Sequence, residues 1–189
     1  MMLTNKQSSS GFHEGQEPDV INRILDLAQI RQGVRVLDVA CGSGVLFPYF
    51  LERGAREITG VDLSPGMIAQ AEKKFSQPNI HLIRADIQAC RFDRPFDRCV
   101  MYETLACFPE PARLLRRLAD FVKPGGRLTV AWSAYQEDIG RPQRLPREMA
   151  ELIGSWFVVD VCQSDGIHVI SGVRNDTPVA PTVPLADKR

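Results

Sequence analysis

The sequence predicts an α/β fold: a doubly wound, seven-stranded, mostly parallel sheet that ends in an antiparallel hairpin. Short runs rich in β-branched residues alternate with segments of helical periodicity, as in a parallel sheet covered by helices. Five such runs are joined by crossovers long enough to bring the chain back in the same direction. The last two runs, 156–162 and 167–173, are separated by the turn-forming residues 163–166 and therefore predict a hairpin.

Length and composition exclude several classes of protein. A chain of 189 residues with 44% hydrophobic and 24% charged residues is typical of one soluble domain with a buried core. Its 23 basic residues balance 23 acidic ones, so nucleic acid is not the expected partner. No window reaches the roughly 18 apolar residues of a membrane span, and the first residues lack the apolar stretch of a signal peptide. We therefore expect a cytoplasmic protein without a membrane segment.

We divide the chain into a polar, flexible N-terminal arm (1–16), a folded domain (17–174) and a proline-containing disordered tail (175–189). The domain contains all five cysteines, which form no CxxC pair and stand mainly in apolar runs. We expect buried, reduced thiols rather than disulfides or a zinc site. The five cysteines are Cys41, Cys90, Cys99, Cys107 and Cys162.

Apolar periodicity and capping residues predict the elements in order. The predicted strands cover residues 34–39, 57–61, 80–84, 97–102, 127–132 and the two hairpin runs. The first predicted helix covers residues 17–30 and is closed by Gly33. A short helix ended by Gly54 follows, with an inward face of Val45, Leu46, Phe47, Phe50 and Leu51. The next helix is capped by Ser64 with Pro65 in its first turn, and two further helices cover 110–122 and 146–153. Residues 123–126 predict a helix stop and a turn.

The first strand carries the most informative motif, because it ends in Asp38 and runs into the turn Gly42-Ser43-Gly44. Glycines lack a Cβ, so backbone amides at the start of the following helix can approach a ligand, although a plain turn is the alternative. Asp62 ends the second strand, where an ionised carboxylate can accept hydrogen bonds from a ribose diol. NAD and S-adenosylmethionine both carry that diol, but Phe47 replaces the third small residue that a pyrophosphate site needs.

With two further motifs, the sequence resembles the class I S-adenosylmethionine-dependent methyltransferases, in particular a small bacterial group similar to methyltransferase types 11 and 25. The matching segments are 36–44, 60–68, 84–87 and 118–130, and the resemblance extends over about residues 20–174. It implies a Rossmann-like methyltransferase fold, S-adenosylmethionine as cofactor and transfer of a methyl group. The sheet of this family also ends in an antiparallel hairpin.

The resemblance assigns cofactor-binding roles to residues that follow the strands. The methionine part is expected along Asp38, Ala40, Gly42 and Gly44, and the ribose at Asp62. Leu63 and Met67 are expected to form apolar walls for the adenine. Asp86 is expected to accept a hydrogen bond from the exocyclic amine, with the backbone of Ile87 beside that amine. Tyr102 is expected near the methyl group. For Asp86 a turn or helix-cap role is a serious alternative.

Catalytic residues are less well defined by the sequence. Tyr102 and Glu103 follow the fourth strand, where the methyl group and the acceptor meet in similar proteins, but they could also be turn residues without a chemical role. A general base is needed only if the acceptor is protonated, and Tyr135, Glu137 and His168 are then further candidates. His13 in the arm could cover the cofactor, although a solvated histidine is the more usual situation.

The acceptor is expected to be a small molecule. Residues 102–105 lack the Asn/Asp-Pro-Pro-aromatic element of similar enzymes that methylate bases, so methylation of a base is disfavoured. Too few carboxylates cluster near the methyl group to hold a metal, so we expect no metal ion. Arg141, Arg144 and Arg147 could meet an acidic acceptor, although a solvated loop is the simpler interpretation. The sequence leaves a homodimer open. Aminopropyl transfer with a related cofactor and a non-catalytic cofactor-binding subunit are alternative functions.

Overall fold

The computed structural model describes residues 17–105, 108–133, 146–165 and 167–175. Within these ranges strands and helices alternate as far as β5, except that β4 follows β3 without a helix between them. In chain order they are α1 (Glu17–Leu27), β1 (Arg35–Val39), α2 (Phe47–Glu52), β2 (Glu57–Asp62), α3 (Pro65–Lys74), β3 (Ile80–Arg84), β4 (Phe96–Tyr102), α4 (Pro111–Phe121), β5 (Val122–Ser133), α5 (Pro146–Gly154), β6 (Phe157–Asp165) and β7 (Ile167–Arg174).

The strands form one seven-stranded sheet in the order β3-β2-β1-β4-β5-β7-β6. The first five strands of this order run parallel, whereas β7 is antiparallel to both β5 and β6. The predicted mixed sheet with its C-terminal hairpin is thus confirmed. In the register of β1, Asp38 lies opposite Gly60 of β2 and Val100 of β4.

Helices cover both faces of the sheet. Residues of α1, α2 and α3 pack with Val36 and Val100 on one face, and residues of α4 and α5 pack with Leu37 and Met101 on the other. The apolar stripe predicted for α4 is fully buried: it consists of Leu114, Leu115, Leu118, Phe121 and Val122. Alternation along each strand therefore divides the core between the two helical layers.

Helix α1 ends earlier than predicted, at Leu27 rather than Ile30, and Gly33 does not close it. The amide of Ile30 donates to the carbonyl of Leu25, and the amide of Gln29 to that of Asp26, each at 2.9 Å. Gln29 has φ +53°. This is a Schellman cap in which glutamine takes the left-handed position that glycine usually fills. The predicted cap at Gly54, with φ +74°, and the Ser64 cap of α3 are both confirmed.

Three other predictions need correction. Val45 precedes α2 and is 47% exposed, so it does not face the core. The hairpin turn is tighter than residues 163–166, because β6 extends to Asp165 and β7 resumes at Ile167. Residues 123–126 do follow the end of α4, but they lie within β5, where the register shifts between the pairs Phe96–Val122 and Arg98–Arg127.

A partly buried ion pair connects the middle of β5 to the hairpin. Arg127 is 4% exposed, and both of its terminal nitrogens donate to the Asp160 carboxylate at 2.6 Å. Nη1 of Arg127 also donates to Oγ of Ser171 on β7 at 3.0 Å. Asp160 is the extra residue where the register of β6 shifts between Val159 and Val161. Such a bulge redirects a side chain, here toward the arginine.

Cys41, Cys90 and Cys99 are buried free thiols, as predicted. Residues 1–16, Cys107 and the side chain of Cys162 lie outside the described part, as do residues 176–189, so the arm and the tail stay predictions. No helix among the described residues is long and apolar enough to span a bilayer.

Candidate functional site

The candidate site lies where the strand order reverses. Strand β1 has β2 on one side and β4 on the other, so crossovers from β1 and from β4 leave in opposite directions. In open α/β sheets ligands bind beyond the carboxyl ends of the strands at such a point. Asp38, Asp62 and Tyr102 stand at or next to the carboxyl ends of β1, β2 and β4. The fold therefore brings together residues that are far apart in the chain.

A tight loop with three left-handed residues follows β1. Ala40, Gly42 and Gly44 have φ values of +55°, +56° and +80°. A Cβ on Gly42 would meet no atom within 4 Å, so its backbone borders open space. This loop has the exposed, closely approachable backbone that the Gly-x-Gly motif predicted. Ala40 adopts the same conformation despite its Cβ, which is unfavourable for a residue other than glycine.

Asp62 holds the two segments that border this open space. Its Oδ2 accepts the Gly42 amide at 2.8 Å, and its Oδ1 accepts the Ser64 amide at 2.8 Å. Each carboxylate oxygen can accept more than one hydrogen bond, so both keep capacity for ribose hydroxyls. Asp62 therefore fixes the glycine loop against the start of α3 and presents a carboxylate at the position predicted for the ribose.

Asp38 is buried at the centre of the site. Its side chain is 2% exposed, and Oδ2 has no hydrogen-bond partner. Burial, and next the negative charge of Asp62, raise the pKa of Asp38 from its ordinary 3.8 to about 8. A buried carboxyl oxygen without a partner is costly in a folded protein. Asp38 therefore has unused capacity for a polar or positively charged ligand group, which fits the ammonium of a methionine moiety.

Phe47 fills the space that a pyrophosphate site would keep free. Its ring packs against the ring of Phe75, with centroids 5.1 Å apart. A Cβ on Gly44 would lie 2.9 Å from Cδ2 of Phe47, and one on Gly60 would lie 2.6 Å from its Cζ. The two glycines thus accommodate the aromatic ring. This packing supports the prediction that a dinucleotide is disfavoured.

Apolar side chains stand exposed beside the loop. Leu63 is 70% exposed and Met67 is 41% exposed, directly after β2 and in the first turn of α3. These are the two residues predicted to form adenine walls. Val45, 47% exposed, stands in the same loop as Gly44, and sequence reasoning missed it by placing it in the core. Its position directly after Gly-x-Gly, before the helix begins, indicates a loop residue rather than a core residue.

Asp86 and Ile87 follow β3. Oδ1 of Asp86 accepts the amide of Gln88 at 2.9 Å, which is the turn role considered as an alternative. The side chain of Asp86 is nevertheless exposed, and its second oxygen is not used in that bond. Ile87 is buried in the core on the α4 side, so only its backbone could contribute to a cofactor site, as predicted.

Tyr102 and Glu103 are adjacent to the site at the end of β4. Tyr102 is half-buried and packs against the core on the α1 side. Glu103 has φ +58°, and its amide donates to the carbonyl of Ala131 at 2.8 Å. Thr104 Oγ1 donates to the Val39 carbonyl at 3.5 Å, which links this turn to the end of β1.

The remaining candidates lie elsewhere or outside the described residues. His168 is on β7, opposite Trp132 of β5, with the two rings 5.2 Å apart. His13, Tyr135, Glu137, Arg141, Arg144 and the side chain of Arg147 are outside the described part of the chain. In that part, no group of three or more His, Cys, Asp or Glu side chains is arranged to hold a metal ion.

Residues 36–126, which contain the glycine loop, Asp62, Asp86 and Tyr102, match the family described as "Methyltransferase domain". The chain belongs to the class I S-adenosylmethionine-dependent methyltransferases. The chain is 32% identical over 137 residues to the aklanonic acid methyltransferase DauC of Streptomyces sp. (strain C5). That alignment covers 69% of this chain and 61% of the relative.

A second relative is a ubiquinone biosynthesis O-methyltransferase of Stutzerimonas stutzeri (strain A1501), 31% identical over 100 residues. The alignment covers 51% of this chain and 43% of the relative. The chain thus spans about two fifths to three fifths of the length of these curated relatives.

A solved structure confirms the Rossmann-like methyltransferase fold. The N-methyltransferase NodS from Bradyrhizobium japonicum WM9, in complex with S-adenosyl-L-homocysteine, superposes with a TM-score of 0.71. The sequences are 18% identical, and the superposition covers 86% of this chain and 89% of NodS. At this level of identity the likeness concerns the fold.

Proposed function

We propose that the protein binds S-adenosylmethionine at the carboxyl ends of β1 and β2 and transfers its methyl group to a small-molecule acceptor. The observation that carries the proposal is the buried, unpartnered Oδ2 of Asp38 beside a glycine loop whose backbone borders open space. A cofactor with an ammonium group in its amino-acid part can donate to Asp38 and lie along this loop, and its ribose can bind to Asp62. Membership of the methyltransferase family supports the choice of S-adenosylmethionine.

In this proposal each part of the cofactor has its own residues. Asp38, with the backbone of Ala40, Gly42 and Gly44, holds the methionine part. Asp62 binds the ribose hydroxyls through the remaining lone pairs of its carboxylate.

The adenine lies between apolar side chains at the start of α3. Leu63 and Met67 supply these walls, because both are exposed beside the loop. Asp86 accepts the exocyclic amine, and the Ile87 backbone lies next to it. An apolar slot with a few polar groups at its ends is typical of cofactor sites.

The chain contributes mainly by positioning. S-adenosylmethionine supplies an activated methyl group, since its sulfur leaves as a neutral thioether, so an acceptor held in line with the sulfur–methyl bond can react directly. Tyr102 and Glu103 are the proposed acceptor-side residues, because they follow the strand next to β1. Glu103 would accept the proton of a hydroxyl acceptor. The O-methyltransferase relative supports an acceptor oxygen.

Two measurements on the purified protein test the proposal. Calorimetric titration with S-adenosylmethionine is expected to show one site per chain. Incubation with phenolic and carboxylic small molecules is then expected to convert the cofactor to S-adenosylhomocysteine, detected by mass spectrometry together with a mass gain of one methyl group in the acceptor. A folded protein that binds no S-adenosylmethionine would contradict the proposal.

The same titration separates the two alternative functions. Aminopropyl transfer predicts tighter binding of the decarboxylated cofactor than of S-adenosylmethionine. A non-catalytic subunit predicts binding without turnover of any acceptor, whereas formation of S-adenosylhomocysteine excludes it. A homodimer and a cytoplasmic location stay predictions.

A further inference from the structure

We propose that Asp38 carries a proton in the ligand-free protein and releases it to solvent when the ammonium group of S-adenosylmethionine binds beside it. Cofactor binding is then coupled to the loss of one proton, and its affinity depends on pH in the neutral range. This inference rests on the proposed function, because it concerns how the same site takes up its cofactor.

The position of Asp38 within the sheet explains why its carboxyl group is isolated. Its two neighbours across the strands are Gly60 of β2, which has no side chain, and Val100 of β4, which has no polar atom. Its side chain is 2% exposed, so water cannot replace the missing partners of Oδ2. In such surroundings a carboxyl group is more stable in its neutral form.

The charged and titratable groups around Asp38 strengthen this preference. Asp62 at the end of β2 adds a negative charge that raises the pKa of Asp38 further. Two thiols interact with Asp38: Cys41 in the loop and Cys99 on β4. Burial and the charge of Asp38 raise the pKa of both thiols. None of these described neighbours is a cation. The ammonium group of a ligand would supply the positive charge that the described neighbours of Asp38 do not provide.

An ammonium group next to Asp38 reverses the balance, because an opposite charge at close range favours the ionised carboxylate. The proton leaves the carboxyl oxygen and passes to the buffer, while the ammonium keeps its own protons and donates to the carboxylate. No other bond is made or broken. The apparent affinity should rise with pH for as long as free Asp38 is protonated and the ligand amine is charged.

Calorimetry in buffers of different ionisation enthalpy measures this proton directly. At pH 7, titration of S-adenosylmethionine in phosphate and in Tris is expected to show release of about one proton per cofactor bound, because the pKa of free Asp38 is about 8. Between pH 6 and pH 7 the dissociation constant is expected to fall about tenfold. 5′-Methylthioadenosine, which keeps the ribose and adenine but lacks the amino-acid part, should bind without proton release.

Variants identify the group that loses the proton. Asp38→Asn cannot ionise, so it is expected to bind S-adenosylmethionine without proton release and with a flat pH dependence. Asp93→Asn removes an exposed carboxylate in the link between β3 and β4 and should behave like the unmodified protein. If Asp38→Asn does not fold, the comparison of S-adenosylmethionine with 5′-methylthioadenosine in the unmodified protein decides the question.

The outcomes distinguish this inference from the proposed function. Proton release that depends on the amino-acid part of the ligand and disappears in Asp38→Asn supports the inference. Binding without release, equal release with 5′-methylthioadenosine, or release that persists in Asp38→Asn overturns it and leaves the proposed function intact. Absence of any S-adenosylmethionine binding overturns the proposed function itself.

Discussion

Asp62 has two tasks at once, because the carboxylate that holds the glycine loop is also the group proposed to bind the ribose. Asp62→Ala is expected to weaken S-adenosylmethionine binding by about 1–3 kcal/mol through loss of charged hydrogen bonds. Calorimetric titration measures the change. Asp93→Asn serves as the control, since it removes a carboxylate away from the site. An unchanged dissociation constant in Asp62→Ala would remove this residue from the binding site.

Ala40 is the residue where the loop is most strained. A left-handed conformation costs a non-glycine residue about 1–2 kcal/mol, whereas glycine adopts it freely but loses more entropy on folding. Ala40→Gly is therefore expected to raise the free energy of unfolding by about 0.5–1 kcal/mol, measured by urea denaturation. Ala71→Gly, in the interior of α3, is the control and should lower it by about 1 kcal/mol or more. Destabilisation by Ala40→Gly would show that the methyl group contributes packing that outweighs the strain.

At the scale of single residues, the sequence predicted which residues lie at the candidate site better than it predicted what surrounds them. Asp38 and Asp62 were both expected to face the cofactor because they end neighbouring strands. Their different surroundings depend on residues distant in sequence: the Gly42 amide donates to Asp62, whereas the residues across the strands from Asp38 are Gly60 and Val100. Val45 was assigned to the core because it is apolar, yet the turn of the loop directs it outward. Local sequence does not encode these long-range contacts.

The ion pair between β5 and β6 is a polar contact that holds the hairpin in place. Asp160→Asn would leave the buried Arg127 without its carboxylate. Breaking a buried pair costs about 3–5 kcal/mol, but Asp160 is 44% exposed, so we expect a loss of about 1–3 kcal/mol in urea denaturation. The control is Asp120→Asn, which breaks an exposed pair with Arg117 and should cost about 0–1 kcal/mol.

The pH dependence of this contact has a definite sign. Hydrogen bonds from Arg127 lower the pKa of Asp160 below its ordinary 3.8. The unfolded chain therefore binds a proton at higher pH than the folded one, and the contribution of the pair is present above the unfolded pKa and lost as pH falls through the folded pKa. Acid denaturation of Asp160→Asn should show a smaller loss of stability below about pH 4 than the unmodified protein. Identical acid profiles would contradict the assignment.

At the scale of elements, predictions succeeded where a residue has one dominant local role. Ser64 followed by Pro65 begins α3, and Gly54 ends α2, because a hydroxyl cap, a fixed φ and a left-handed φ are local requirements. The predicted end of α1 was wrong because Gln29 takes the left-handed position that glycine usually fills. The hairpin was predicted with too long a turn because pairing with β7 carries β6 through polar residues up to Asp165.

For the molecule as a whole, binding of a cofactor product should stabilise the fold. S-adenosylhomocysteine at a free concentration of about 100 times its Kd is expected to add about 2.7 kcal/mol to the free energy of unfolding. For a domain of this size that corresponds to a rise in Tm of about 5–11 °C, measured by differential scanning calorimetry. Asp62→Ala at the same ligand concentration should show a smaller rise. A Tm independent of ligand would contradict binding to the native state.

The number and the directions of the strands are the part of the whole molecule that the sequence predicts best. Alternating elements, long crossovers and a short final turn predicted five parallel strands and an antiparallel hairpin, and the sheet contains both, whereas the order of the strands was not predicted. The site follows from the same rule, since the carboxyl ends of β1, β2 and β4 must share one edge. The nature of the acceptor does not follow, because the turns around Tyr102 and Glu103 are set by contacts with β1 and β5 rather than by a motif.

The packing of Phe47 against two glycines also limits which residues can replace any of the three. Residues 44, 47 and 60 share one small volume, since a Cβ on either glycine would collide with the aromatic ring. In related chains a larger residue at 44 should therefore be accompanied by smaller residues at 47 and 75, and a larger residue at 60 by smaller residues at 41 and 47.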